Sequence, residues 1–315
     1  MKTMQNKLGL ALLASGLLFS AAHAAELEPG AVINAGNLEA RMNDTFEGHK
    51  IADLLTERQA YLIANEGLSM TLKASTPIQL GADYVAATEQ YSTQASYNPD
   101  TRMMEGWVAG MPFPNVSQDD PHAAEKLIWN HHVAQPTKNF QDYSQFAYLF
   151  IDDEEGLERT QEWVLQRYYM KGRLGEEATE QGDGDILWKQ LLYATYPNDI
   201  RGLGLHTIRY DSPKLDDSWA YIKSVRRTRR LSGGTWMDPI GGTDQLNDDI
   251  EIFNAHPTWY PEYKLVDKRT ILVVANSQST PWQPDASGSA AFPIVDLDNA
   301  PYWNPADQWE PREVW

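Results

Sequence analysis

The apolar positions of the first third of the chain follow a helical period in two places. Over 44–65, Ile51, Leu54, Leu55, Arg58, Tyr61 and Leu62 recur at spacings of three and four. That spacing predicts an amphipathic helix capped by Asp44 or Thr45 and ended by Gly67. Met70, Leu72 and Ala74 then alternate with Thr71, Lys73 and Ser75, as a strand with one buried face does, until Pro77 breaks the run. The stretch on through Ser96 is weakly patterned. Asp119-Asp120-Pro121 opens a second helix with two acids at its positive end. Ala124, Leu127, Ile128 and His131 share one of its faces, and it stops before Pro136.

Beyond Asn139 the pattern changes to aromatic and β-branched runs over 146–151, 160–170, 187–195, 205–210, 219–231 and 270–274. Polar turns separate them at short intervals, with no helix-length apolar segment between. Antiparallel pairing is therefore expected rather than βαβ crossovers. Gly182-Asp183-Gly184-Asp185 and the segment 211–217 read as hairpin connections. Gly233-Gly234 and Gly241-Gly242 bound an insertion expected to be flexible, and 277–288, rich in Pro, Ser and Gln, reads as a long loop. The 309–315 segment begins a Glu/Arg/Val/Trp pattern and stops.

The N-terminus changes the picture of where the chain works. Lys2 and Lys7 form a basic region, 8–22 an apolar one, and Ala22-His23-Ala24 a small-residue cleavage site. The reading is a signal peptide over 1–24, cut after Ala24, ahead of one domain over 25–315, with a periplasmic destination. No later segment is long and apolar enough to span a bilayer, which takes about 20 residues. Twenty-six Lys plus Arg stand against 44 Asp plus Glu; without Lys2 and Lys7 the count is 24 against 44, a net charge of -20. Such acidity opposes a nucleic-acid partner, which needs a basic face. With no Cys, disulfides, Cys-ligated metals and a lipid-bearing N-terminal cysteine are excluded. Eleven Trp, 15 Tyr and 8 Phe supply a core in their place.

Candidate chemistry is sparse. Arg226, Arg227, Arg229 and Arg230 form the one dense basic run; on a strand, Arg227 and Arg229 fall on one face and Arg226 and Arg230 on the other. Either they pair with acids such as Asp216, Asp248 and Asp249, or they seat an anion at a cavity mouth. The acid clusters 152–155, 183–185 and 248–251 lack the alternating oxygens and closing Glu of a calcium loop and read as solvated turns. His131 and His132 diverge by about 100° on a helix, so they do not readily share a metal. No zinc-protease, nucleophile-elbow or P-loop motif is present, and no catalytic residue, metal ligand or cofactor is assigned.

Two blocks carry a resemblance. The first holds GMPFPN (110–115), DDP (119–121) and IWN (128–130). The second runs DIRGLGLHTIRY (199–210), DDSWAYI (216–222), RRTRRLSG (226–233) and GGTDQLNDDIEIF (241–253). Together they resemble the exported Gram-negative proteins of unknown-function family 1329, described as outer-membrane lipoprotein-sorting-like, over nearly all of 25–315. The resemblance implies an α+β fold similar to the LolA/LolB carriers: a strongly curved antiparallel sheet, an unclosed barrel, with helices packed on its concave side over an apolar cavity. It also implies the handling of lipid or another hydrophobic ligand between the membranes, beside inner-membrane export pumps.

On that reading the chain is a non-catalytic carrier. Trp107, Trp129, Trp163, Tyr168, Tyr193, Tyr210 and Trp219 are candidate wall residues, and Arg227 with Arg229 the head-group seat. The rival readings are an adaptor docking an outer-membrane protein or export pump, and an exported hydrolase or glycan-binding protein. The last would need paired carboxylates or a planar row of tryptophans, which the sequence does not display. Two positions depart from the family pattern. Thr228 stands where an apolar residue is usual, and family members continue with further strands beyond WEPREVW (309–315), so C-terminal strands are expected to be missing.

Overall fold

A computed structural model of the protein describes residues 24–134, 139–175, 180–182, 184–223, 225–232, 234–240, 242–275, 292 and 295–315. The signal peptide expected over 1–24 lies outside the described residues except for Ala24, as does the whole of the loop expected over 277–288.

The chain opens with β1 (Val32–Ile33), α1 (Leu38–Arg41), a hairpin of β2 (Thr45–Phe46) and β3 (His49–Lys50), then α2 (Ile51–Leu54), α3 (Glu57–Asn65) and β4 (Met70–Thr71). The single helix expected over 44–65 is thus divided. Its first residues turn back as a hairpin at Glu47 and Gly48, whose φ values are 49° and 78°, so no helix can run through them. The helix proper starts later, where Thr56 and Gln59 cap each other reciprocally. The strand expected over 70–74 is shorter, pairing with β1 only at Met70 and Thr71. Next come α4 (Ala82–Tyr91), the hairpin β5 (Ser96–Asn98) with β6 (Met103–Glu105), and α5 (Ala123–His132). In α5 the buried residues are Ala123 and Trp129. The stripe of Ala124, Leu127 and Ile128 instead lines an open groove, so it is half-buried rather than core.

The main sheet follows: β7 (Phe140–Asp152), β8 (Gly156–Tyr169), β9 (Ile186–Tyr196), β10 (Gly204–Tyr210), β11 (Asp217–Ile222) and β12 (Arg227–Arg230). Each strand is antiparallel to the next, in the order β12-β11-β10-β9-β8-β7. The fold is mixed helix and strand, and the sheet is not closed into a barrel. The strand expected over 219–231 is split by a turn around Val225 and Arg226, the latter with φ 48°. Two further strands, β13 (Arg269–Val274) and β14 (Trp309–Val314), pair antiparallel with each other. The pattern that begins at Trp309 is therefore a full strand, tied to the N-terminal segment where Lys73 N–H donates to the Trp309 carbonyl.

The two largest apolar clusters are separate from each other. Ile33, Phe46, Ile51, Leu54, Ile63, Met70 and Leu72 close around Leu272 of β13, so α1 to α3 pack with β13 and β14 rather than with the six-stranded sheet. On the sheet, register aligns Leu165, Leu192 and Leu205 across β8, β9 and β10, and with Trp163 and Ala194 these pack under Ile240 and Ile250. Of the insertion expected to be flexible, Ile240 is thus anchored in the core; burying an Ile side chain contributes about 1.5–3 kcal/mol. Of the helices, α5 reaches the same face of the sheet, bringing His132 to Trp188 and Arg209.

Candidate functional site

Below that apolar layer the same face of the sheet turns polar. Register places Arg167, Gln190, Thr207 and Ser218 in one row and Tyr169, Trp188 and Arg209 in the next. Trp188 on β9 lies between guanidiniums from the two flanking strands, Arg167 at 4.6 Å and Arg209 at 4.7 Å from its ring. Both arginines are 3% exposed. A buried cation needs a counter-charge, because desolvation alone would be prohibitive. Arg209 takes Asp216 through two hydrogen bonds of 2.7 and 2.8 Å and also donates to the Asn254 carbonyl. Arg167 donates twice to Gln190 Oε1, at 3.0 and 2.8 Å, and through Nη1 to Glu251 Oε2 at 2.6 Å.

Over these residues α5 and the 250s segment close a cluster of rings. Trp129, His132 and His256 stand edge to face, with centroids 5.3 to 5.5 Å apart. Burial first, then the charge of Arg209, holds the His256 imidazole down to about 3 and pushes His132 well below the usual histidine value. Both are therefore neutral at pH 7. His131 Nε2 donates to the carbonyls of Glu251 and Ile252 at 2.8 and 2.6 Å. Glu251, Ile252 and Phe253, which it holds, all have left-handed φ of 62°, 52° and 51°.

Between the sheet and this cover is a chamber of about 230 Å³, walled by His132, Gln141, Tyr143, Arg167, Arg209 and Glu251. Gln141 is 1% exposed, and its Oε1 has no hydrogen-bond partner among the described residues. His131 and Ala134 are walls both of this chamber and of an apolar cavity of about 530 Å³ lined by Leu80, Tyr84, Met111 and Leu174. Phe253 is shared in the same way with a groove of about 670 Å³ lined by Leu127, Ile128 and Leu265. Among the described residues no group of His, Asp or Glu is placed to hold a metal, and no helix is long and apolar enough to cross a membrane.

The profile of the family described as "Protein of unknown function (DUF1329)" matches residues 32–315. The chain belongs to the DUF1329 family. Among solved structures, it is similar to a putative outer membrane lipoprotein-sorting protein domain from Vibrio parahaemolyticus, at 17% identity and a TM-score of 0.27, covering 36% of this chain and 40% of that one. It is also similar to a DUF1329 family protein from Desulfovibrio piger, at 17% identity and a TM-score of 0.28, covering 48% of this chain and 51% of that one. The chain thus spans about half the length, or less, of these two structures. No curated protein matches it.

The DUF1329 motif blocks do reach the chamber, though through other residues than those singled out by composition. TIRY (207–210) supplies Arg209, DDSWAYI (216–222) its partner Asp216, and the end of GGTDQLNDDIEIF supplies Glu251 and Phe253. None of the nine candidate ligand residues lines the chamber. Trp163 is inside the apolar layer, Trp129 is packed with Met104 and Val133, and Trp107 covers Tyr169 and Trp188 from the side. Tyr168, Tyr193, Tyr210 and Trp219 fall, by alternation, on the opposite face of the sheet. There Trp219 stacks near His206 and Arg230, and the Tyr210 hydroxyl donates to Asp217.

Arg227 and Arg229 are exposed on the outermost strand. The expected ion pairs are also rearranged. Arg230 meets Asp217, because strand register brings those two together, while Asp216 turns inward to Arg209 and Arg226 occupies the turn. Asp248 accepts from Ala255 N–H and Tyr260 hydroxyl, and Asp249 from Leu246 N–H. The sequence signal for the buried arginine cluster is parity: Arg167 follows Trp163 and Leu165 in period two, a charge at core-face positions that must therefore be paired.

Proposed function

We propose that this DUF1329 protein is a non-catalytic carrier of a lipid or similar amphiphile, exported through a leader over 1–24 and working in the periplasm. One observation carries the reading. A polar chamber adjoins, with His131 and Ala134 as shared walls, an apolar cavity more than twice its size. Such a composite suits a molecule with a polar head and a hydrocarbon tail. The chamber's own groups support binding over chemistry. Among the described residues Glu251 is held by Arg167, His131 is engaged with two backbone carbonyls, and burial pushes His132 well below the ordinary histidine value, which makes it a poor general base.

The test is native mass spectrometry of the mature protein taken from a periplasmic fraction, followed by organic extraction and lipid identification. A co-purifying amphiphile near one per chain is the expected result. A folded protein of clean apo mass that also fails to take up lipid would overturn the carrier reading and favour an adaptor that docks a membrane partner.

A further inference from the structure

The chamber contains one ion pair built to be broken. Arg167 is buried on β8, a strand paired on both sides, and cannot leave. Its partner Glu251 is another matter: the side chain is 35% exposed, against 13% for Asp216, which grips Arg209 with both oxygens. Glu251 also begins the strap of three successive left-handed residues, of which Ile252 is β-branched and 66% exposed. Left-handed backbone is costly for such residues, and the strap gains no core packing at Ile252 to offset it. The strap is held shut by the Glu251–Arg167 pair and by the His131 bonds to the Glu251 and Ile252 carbonyls.

Resting on the carrier reading, we infer that Arg167 is the head-group anchor, that Glu251 is a stand-in for the ligand's own acid, and that the ligand class is amphiphiles with a singly charged anionic head. Exchange of one carboxylate for one anionic head keeps the buried guanidinium paired, so neither state leaves Arg167 bare. It keeps the net charge of the chamber unchanged as well. A head of higher charge would leave an uncompensated anion in a pocket whose second arginine is already neutralised by Asp216. The unpartnered Gln141 Oε1 accepts a hydrogen bond from a hydroxyl on the head. Released strain in 251–253 favours the exchange, and the tail runs past His131 and Ala134 into the apolar cavity.

The experiment compares three probes bearing the same fluorophore on the full-length mature protein: a fatty carboxylate, the matching fatty alcohol, and a phosphodiester lipid. Glu251→Gln keeps the shape of the side chain and removes its charge, so an anionic probe meets no competitor. It is expected to bind about tenfold tighter, with little change for the alcohol, which reports only the apolar cavity. Ile252→Asn, which eases the left-handed turn and so holds the strap shut, is expected to weaken the anionic probe about threefold and to spare the alcohol. Thermal melts confirm that both variants, at exposed positions, are folded. Whichever of the carboxylate and the phosphodiester responds identifies the source of the acid head. Glu251→Gln without effect, or with equal effect on the alcohol, overturns the exchange and leaves the carrier intact. No uptake of any probe by the unaltered protein overturns both.

Discussion

At the scale of single residues, His256 ties stability to pH. Its folded pKa of about 3 lies below the ordinary 6.5, so the folded state stays neutral while the unfolded chain takes up a proton below pH 6.5. The unfolded state then binds more protons, and stability falls as pH falls through the window from 6.5 down to 3. Between neutral pH and pH 5 this one group is expected to remove about 2 kcal/mol. Urea titrations at the two pH values should show that loss, and His256→Gln should flatten the dependence by that amount. How much of the chamber can be read in the sequence also differs residue by residue. Arg209 and Asp216 are seven apart across a hairpin, within reach of pattern reasoning. Arg167 and Glu251 are separated by 84 positions, and only the fold brings them together. The arginines' core-face parity is visible in the chain; the identity of their partners is not. The dense 226–230 run stands out in the sequence because charge density is a local property, whereas burial is set by the fold.

At the scale of elements, β12 separates an expected role from an observed place. Its four residues are exposed and, among the described residues, its outer edge has no neighbouring strand; cations on such an edge discourage pairing with another. Arg227→Ala combined with Arg229→Ala is expected to change unfolding stability by no more than about 0.5 kcal/mol, to leave lipid retention unaltered, and to increase self-association in light scattering. Strands β7 to β10 are legible because each contains an apolar or aromatic run with an evident turn after it, whereas β12, all polar, is not separable from β11 by pattern. Helix α4 is not legible, since Ala87 is the one buried residue it offers and the helical stripe is too weak to register. The hairpin of β2 and β3 escaped for the opposite reason: the apolar spacing over 51–62 is strong enough to mask the turn at Glu47-Gly48 just before it.

For the whole molecule, the two largest apolar clusters share no residue, and β14 secures the N-terminal one. Glu310 on β14 is fully buried and accepts from Thr76 N–H, Thr76 hydroxyl and Arg312 Nε, at 3.3, 3.1 and 2.9 Å. Glu310→Ala strands those donors and is expected to cost about 1–3 kcal/mol. Amide exchange should record the loss in β1, β4 and β13 and leave β8 to β10 protected.

The Arg167–Trp188–Arg209 stack has a use of another kind. An indole clamped between two cations and screened from water has an electronic environment unlike that of a tryptophan on the surface. Since one of those cations is the anchor for the head group, a change of its counter-ion alters the electric field at the ring directly. The spectrum of Trp188, isolated by difference against a Trp188→Phe variant, is therefore a label-free optical gauge of occupancy that the protein carries within its own sheet.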